Sequence, residues 1–269
     1  MTSVFMRIIG SLLGFIAIAL SLFLWFRQDI LPPLIDSIVL EKRIVGIDDN
    51  LSGLTWDNKT RSLLAITNKP EVVYQLDRDG NILAHRALPE LNDTESISVG
   101  WGETFLIAEE RRRKITPLAL SFQGERHQIL PTSLSLDLGG RKNEGFEGVA
   151  FSQSSGTLFI ANEKNPAVVF KIEGFNQPDS PLSIEKIYTS VKDISGLTWC
   201  DERKRLYVLS DEAKTITEMD NKGFVLRVSN LSDFVQVAIP QPEGVAVEGN
   251  KLYVVSEPNY FYVFNMVAE

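Results

Sequence analysis

The sequence predicts an all-β fold, a five-bladed β-propeller, and two observations support this prediction. The first is a recurring motif of Ser or Glu, then Gly or Ser, then an apolar residue, whose middle residues are 43, 52, 48 and 48 residues apart. The second is that strand-forming segments fill each interval, and strand repeats of about 40–50 residues are typical of propeller blades. The five copies are Ser52-Gly53-Leu54, Glu95-Ser96-Ile97, Glu147-Gly148-Val149, Ser195-Gly196-Leu197 and Glu243-Gly244-Val245.

The fourth repeat shows the four strands of one blade most clearly. Segments rich in strand-forming residues begin at Gly196, Arg205, Thr215 and Phe224, and charged or Gly-containing turns separate them. The first and third repeats follow the same plan. The second has a long tail running to Asp137, which leaves a six-bladed propeller as the alternative.

The fifth repeat contains only three predicted strands before the sequence ends. A further strand-forming segment, Ser37 to Ile47, precedes the first repeat. We expect this segment to complete the last blade, because closing the ring removes an exposed strand edge. The propeller domain is therefore predicted to span residues 37–269, and an isolated edge strand is the alternative for the N-terminal segment.

The N-terminus differs from the rest of the chain in composition. From Ile8 to Phe26, 19 consecutive residues carry no charge, which is close to the length that a membrane-spanning helix needs. Residues 1–29 are therefore predicted to be a single-pass membrane anchor, with a cleaved signal peptide as the alternative. Residues 30–36, with Pro32-Pro33, form a short spacer. Arg7 favours a cytoplasmic N-terminus, which places the propeller outside the inner (plasma) membrane.

Composition excludes some classes of function. The net charge of −8 argues against nucleic acid as a partner, because phosphate binding needs a basic surface. The single cysteine, Cys200, excludes an intramolecular disulfide. The two histidines, His85 and His127, belong to no recognisable Ser-His-Asp arrangement.

Acidic residues recur at two positions of the repeat that a propeller brings to one face. The start of a first strand lies beside the end of the antiparallel second strand, and first strands line the central axis. Crowded carboxylates repel, and oxygen-only ligands suit Ca²⁺, so we predict a Ca²⁺ site. Structural carboxylates that cap backbone N–H groups are the alternative. The candidate metal ligands are Glu95, Glu147 and Glu243 at first-strand starts, and Glu109, Glu163, Asp211 and Glu257 at second-strand ends.

These motifs also resemble a known family. Leu51 to Trp56, Ile194 to Trp199, Phe146 to Ala150 and Pro242 to Ala246 look like the SdiA-regulated (YjiK/CarP) proteins, over about residues 37–265. The resemblance implies a membrane-anchored β-propeller that faces the periplasm. It also implies a link to calcium homeostasis in one branch, which has been likened to phytases. Lys69, Lys164 and Lys214 recur beside the second-strand ends and are the candidate ligand-binding residues of such a site.

Two functions follow as expectations. The first is a non-catalytic, calcium-linked propeller of the cell envelope that binds an unknown ligand or protein partner on its acidic face. The alternative is a calcium-dependent, phytase-like phosphoric ester hydrolase, in which Ca²⁺ orients a water molecule and the lysines help to bind phosphate. No catalytic residue can be named from the sequence.

Overall fold

The protein is a five-bladed β-propeller in the computed structural model, which describes residues 32–124, 127–136, 145–177 and 180–268. Its strands form five antiparallel sheets, and one short 3-10 helix, Leu231–Asp233, is the only helical element in those ranges. The predicted fold class and blade number are confirmed.

Twenty-one strands build the described part of the propeller. The chain begins with β1 (Ile35–Arg43). Blade 1 then contains β2 (Leu51–Asp57), β3 (Ser62–Asn68), β4 (Glu71–Leu76) and β5 (Ile82–Ala87). Blade 2 contains β6 (Thr94–Val99), β7 (Thr104–Glu109), β8 (Lys114–Leu120), β9 (His127–Ile129) and β10 (Leu134–Ser135). Blade 3 contains β11 (Phe146–Ser152), β12 (Thr157–Asn162), β13 (Val168–Glu173) and β14 (Ser183–Tyr188). Blade 4 contains β15 (Gly196–Cys200), β16 (Arg205–Ser210), β17 (Thr215–Met219) and β18 (Val225–Asn230). Blade 5 contains β19 (Gln241–Glu248), β20 (Lys251–Glu257) and β21 (Tyr260–Met266).

The first strands of the blades form a closed ring around the central axis. β2 contacts β6, β6 contacts β11, β11 contacts β15, β15 contacts β19, and β19 contacts β2. The faces between blades are apolar, as Leu197 and Val208 of blade 4 show by packing in one cluster with Phe159 of blade 3. Each such buried side chain contributes about 1.5–3 kcal/mol relative to an exposed one.

The long second repeat does not form an additional blade in the described ranges. Both of its short strands, β9 and β10, pair with β8 and so extend the sheet of blade 2. This is the structural reason for the interval of 52 residues between the second and third motifs.

Closure of the ring follows the sequence prediction. β1 pairs antiparallel with β21, from Ile35 opposite Met266 to Arg43 opposite Tyr260, and supplies the fourth strand of blade 5. The strand begins two residues earlier than predicted. The first and last strands of the propeller thus share one sheet, so neither the start nor the end of the domain leaves an unpaired strand in that blade.

The predicted membrane anchor, residues 1–29, lies outside the described residues. Within the ranges that are described, no helix has the length and apolar character needed to cross a bilayer.

Candidate metal centre

A β-bulge presents the first residue of the motif in four of the five blades. The pairing of the first and second strands shifts by one residue at this point, which leaves Ser52, Glu95, Glu147 and Glu243 without a direct partner. Bulges bend the strand and redirect a side chain, and they are frequent beside functional sites. In blade 4, Ser195 immediately precedes β15, and its backbone N–H donates to the Leu209 carbonyl over 3.0 Å. The bulges thus explain how the motif residues of neighbouring blades converge at one end of the axis.

Glycine follows the motif residue because the first strands approach one another closely there. A Cβ atom on Gly53 would lie 2.8 Å from the Ser96 Cα atom, and one on Gly244 would lie 2.7 Å from the Gly53 carbonyl carbon. Blade 2 carries Ser96 at the equivalent position, and its hydroxyl accepts a hydrogen bond of 3.1 Å from the Val149 backbone N–H. The first strands therefore close the central channel directly beside the carboxylates. The carboxylates surround the entrance of this channel, called the mouth here, and do not line an open pore.

Three carboxylates of blade 2 form the first close group, called group A here: Asp93, Glu95 and Glu110. Their oxygens lie within 4.8 Å of one another. Asp93 and Glu110 are 1% and 5% exposed. Glu95 accepts a hydrogen bond of 2.8 Å from the Asn68 side-chain amide, and Glu110 accepts one of 3.3 Å from the Gly145 backbone N–H.

Within the described ranges, no N–H group and no hydroxyl donates a hydrogen bond to the Asp93 carboxylate; its one hydrogen-bonding neighbour is the carboxyl group of Glu110, a member of the same group. Its nearest positive group is the Arg111 guanidinium, whose Nε atom lies 3.3 Å from Oδ2 in an ion pair without hydrogen-bond geometry. A buried carboxylate that accepts no hydrogen bond from an N–H group or hydroxyl is costly, because it has lost water and gained little in return. The Asp93 oxygens are therefore available to a ligand.

The equivalent residue of blade 4 shows how a capping carboxylate looks in this fold. Asp193 precedes Ser195 by two residues, as Asp93 precedes Glu95. Asp193 accepts hydrogen bonds from the Ser210 hydroxyl and from the backbone N–H groups of Asp211 and Glu212, the latter two over 2.9 and 3.1 Å. This carboxylate is fully engaged in a structural role. The contrast makes Asp93, and not the acidic face in general, the unusual feature.

A second close group, called group B here, shares one residue with the first. Glu110, Glu147 and Glu163 have carboxylate oxygens within 4.8 Å of one another. Burial, followed by its hydrogen bond with Asp93, raises the pKa of Glu110 to about 7. Burial and then the nearby Glu95 raise the pKa of Glu147 well above its usual value. Both shifts have the same physical cause, since negative charges in a poorly solvated mouth disfavour ionisation.

Glu243, Asp211 and Glu257 lie on the side of the mouth formed by blades 4 and 5. Burial, and then Asp211 and Glu257, raise the pKa of Glu243 well above its usual value. Burial, and then Asp49, raise the pKa of Glu257. Among the described residues, none of these three belongs to a close group of three ligands. They add negative charge to the mouth without completing a ligand set.

Glu109 is placed differently from the other candidates. In the pairing of β6 with β7, Glu109 lies opposite Thr94, just as Asn162 lies opposite Phe146 in blade 3. Its buried carboxylate accepts a hydrogen bond of 2.7 Å from the Thr116 hydroxyl and pairs with Arg112. Glu110 occupies the register position of Glu163. Successive side chains of a strand point to opposite faces. Glu109 therefore forms hydrogen bonds within blade 2, whereas the next residue, Glu110, lies at the mouth.

The three candidate lysines have different surroundings. The Lys164 ammonium contacts Glu163 at 2.8 Å and Glu212 at 3.1 Å. Lys214 pairs with Asp211 and donates to the Pro240 carbonyl. Lys69 is exposed and forms no ion pair with the described residues. Lys164 and Lys214 are thus already paired with carboxylates, which leaves their ammonium groups less able to bind an anion.

Asp93 and Glu110 are the mouth residues that the motif alone does not identify. Aligning the repeats by strand register would have found both. Asp93 stands two residues before Glu95, and Glu110 aligns with Glu163 once the bulge is counted.

Comparison with known proteins agrees with this architecture. The family model described as SdiA-regulated matches residues 33–265. The chain belongs to the SdiA-regulated family. This match covers all of the propeller except the last residue of β21, and it confirms the resemblance found in the motifs.

Solved structures with the same fold are distant in sequence. A luciferin-regenerating enzyme has a TM-score of 0.55 at 14% identity, over 84% of this chain and 95% of that one. A virginiamycin B lyase from Staphylococcus aureus has a TM-score of 0.51 at 12% identity, over 85% and 99%. A chain of a nidogen/laminin complex has a TM-score of 0.51 at 14% identity, over 78% and 73%. At this level of identity the similarity shows the fold alone.

Proposed function

We propose that this SdiA-regulated protein is a membrane-anchored propeller of the cell envelope that binds a divalent cation, Ca²⁺, at group A. The cation prepares the acidic mouth to bind a ligand or partner protein. The observation that carries the proposal is the buried carboxylate of Asp93, which accepts no hydrogen bond from an N–H group or hydroxyl among the described residues and lies against Glu95 and Glu110.

The chemistry of the donors favours Ca²⁺ over other metals. Group A offers carboxylate oxygens only, and hard oxygen ligands suit Ca²⁺, whereas Zn²⁺ and copper prefer nitrogen or sulfur. The neighbouring Asn68 supplies a further oxygen, because its amide nitrogen bonds Glu95 while its buried Oδ1 has no hydrogen-bond partner in the described ranges. A bound cation would offset the burial, and then the neighbouring carboxylates, that raise the pKa of Glu110.

The proposed location rests on the N-terminal segment. The uncharged stretch from Ile8 to Phe26 is long enough to span a bilayer, and the family resemblance implies a periplasmic propeller. β1 starts beside the end of β21, at the face opposite the carboxylates. The first strand of the propeller therefore starts at the end of blade 5 that lies away from the mouth.

Calorimetric titration of the full-length protein in detergent with Ca²⁺ tests the proposal. We expect saturable binding that Asp93→Asn weakens by about tenfold or more, because a charged ligand is lost. Glu103→Gln is the matched control, since Glu103 is an exposed carboxylate outside the mouth, paired with Lys59. Absence of heat up to millimolar Ca²⁺, or equal binding by Asp93→Asn, contradicts the proposal.

An assay of phosphate release from phytate in the same samples addresses the hydrolase alternative. The binding function predicts no release with or without Ca²⁺. Calcium-dependent release that Glu147→Gln abolishes would instead support a hydrolase.

A further inference from the structure

Lys164 stands where the second carboxylate group opens to solvent. Its ammonium lies 2.8 Å from the Oε1 atom of Glu163, a member of group B, and 3.1 Å from Oε1 of Glu212 in blade 4. The side chain is one-third exposed, so solvent reaches it. The hydrogen bond to Glu163, and then the one to Glu212, raise the pKa of Lys164, and the ammonium is charged at every physiological pH.

The position of Lys164 is fixed by the turn that carries it. The Asn162 side-chain amide donates to the carbonyls of Lys164 and Pro166 over 2.7 and 2.9 Å. Lys69 occupies the equivalent position after β3, but the residue before it is the neutral Asn68, and Lys69 is exposed. A lysine at this position therefore folds towards the mouth where carboxylates of two blades receive it.

We propose that Lys164 is a tethered counter-cation. Its ammonium competes with dissolved divalent cations for Glu163 and so hinders their binding to group B. This inference rests on the proposed cation binding at the mouth. It explains how Glu110, Glu147 and Glu163 can remain together without a metal, since one charge of the group is already neutralised.

The physical consequence is a lower affinity for a second cation. A divalent ion entering group B must displace the ammonium from Glu163 or accept its repulsion at close range. Removing one positive charge a few ångströms from the ion is expected to raise affinity by about tenfold or more, even in a strongly screened environment. Group A, which contains Glu110 but not Glu163, is expected to change less.

Calorimetry with Ca²⁺ on the full-length Lys164→Gln variant tests this role. We expect a second binding event, or an affinity raised by about tenfold, relative to the wild type. Lys164→Arg keeps the charge and should behave as the wild type. Lys171→Gln is the matched control, because Lys171 also contacts two carboxylates, Glu173 and Glu185, on the outer strands of the same blade.

The outcomes separate this inference from the proposed function. If the wild type and Lys164→Gln bind Ca²⁺ equally, the counter-cation role is wrong and the proposed function stands. If neither binds, both are wrong. If only Lys164→Gln binds, the counter-cation role is confirmed and cation binding by the native chain is wrong.

Thermal unfolding of the same variants provides a second readout. A counter-cation predicts that Lys164→Gln is less stable than the wild type in chelator and that Ca²⁺ stabilises it more. A purely structural ion pair predicts the loss of stability alone, with no additional response to Ca²⁺, and that result would overturn the inference.

Discussion

Stability of the cation-free protein should fall as pH rises, and Glu110 allows this effect to be measured at one residue. Its pKa is raised from an ordinary value of 4.5 to about 7, by burial and by its hydrogen bond with Asp93. The folded state therefore holds this proton more tightly than the unfolded state does. Stability from this residue is highest below pH 4.5, decreases between pH 4.5 and 7, and stays low above pH 7.

The magnitude follows from the size of the pKa difference. Moving one pKa from 4.5 to about 7 corresponds to about 3 kcal/mol. Because the mouth is open to solvent on one side, screening reduces the effect to about 2 kcal/mol. Glu147 and Glu243 have pKa shifts in the same direction, so the wild-type decrease will be larger than the share of Glu110 alone.

Glu110→Gln isolates that share, because glutamine is nearly isosteric and can still accept the hydrogen bond from the Gly145 N–H. Urea unfolding of both proteins at pH 5 and pH 8, with chelator present, gives their difference in free energy of unfolding. We expect this difference to move by about 2 kcal/mol in favour of the variant between the two pH values. A difference that stays constant with pH would refute the reasoning that Glu110 is protonated in the folded, cation-free mouth.

Three further predictions concern the ligands, the caps and the packing of the mouth. Asp193→Asn should destabilise the protein by about 1–2 kcal/mol in urea unfolding, because a carboxylate that accepts from a hydroxyl and two backbone N–H groups becomes an uncharged amide with one acceptor oxygen, whereas Asp93→Asn should cost little in chelator. Gly244→Ala should cost about 2 kcal/mol or more, because its Cβ would meet the Gly53 backbone at 2.7 Å; Gly124→Ala, where a Cβ meets nothing within 4 Å, is the control. Ca²⁺ should raise the thermal unfolding temperature of the wild type and chelator should reverse it, and no shift in wild type at millimolar Ca²⁺ would count against group A.

The architecture could be predicted from the sequence because it depends on local patterns that repeat. Each blade reveals its strands through short runs of strand-forming residues between turns, and the missing strand of blade 5 indicated closure by β1. The interval of 52 residues before Glu147 left the blade number open. Only strand pairing showed that the two short strands of that tail belong to blade 2.

The candidate site could be predicted only in part, because it depends on register and on the surroundings of single residues. The structure places Glu95 and Glu147, the residues named from the motif, in the close groups at the mouth, yet Glu109 and Glu110 are adjacent and only pairing with β6 distinguishes them. The availability of Asp93 cannot be read from the sequence at all. It depends on the absence of N–H and hydroxyl donors around Asp93 among the described residues, whereas Asp193 at the equivalent position has three such donors.

The asymmetry of the mouth follows from how the repeats differ. The blades share a framework of a first-strand start, bulged in four of the five, a close strand contact at Gly or Ser, and a second-strand end, so each could place two polar side chains at the axis. Blade 1 fills these positions with Ser52 and Asn68, which are neutral, and blade 4 fills them with Ser195 and with Asp211, which pairs with Lys214. Among the described residues, blades 2 and 3 alone bring three carboxylates within ligand distance of one another. A cation site on a propeller thus requires no change of fold, since substitutions in two neighbouring blades are enough to turn a repeated structural position into a place where charge must be neutralised.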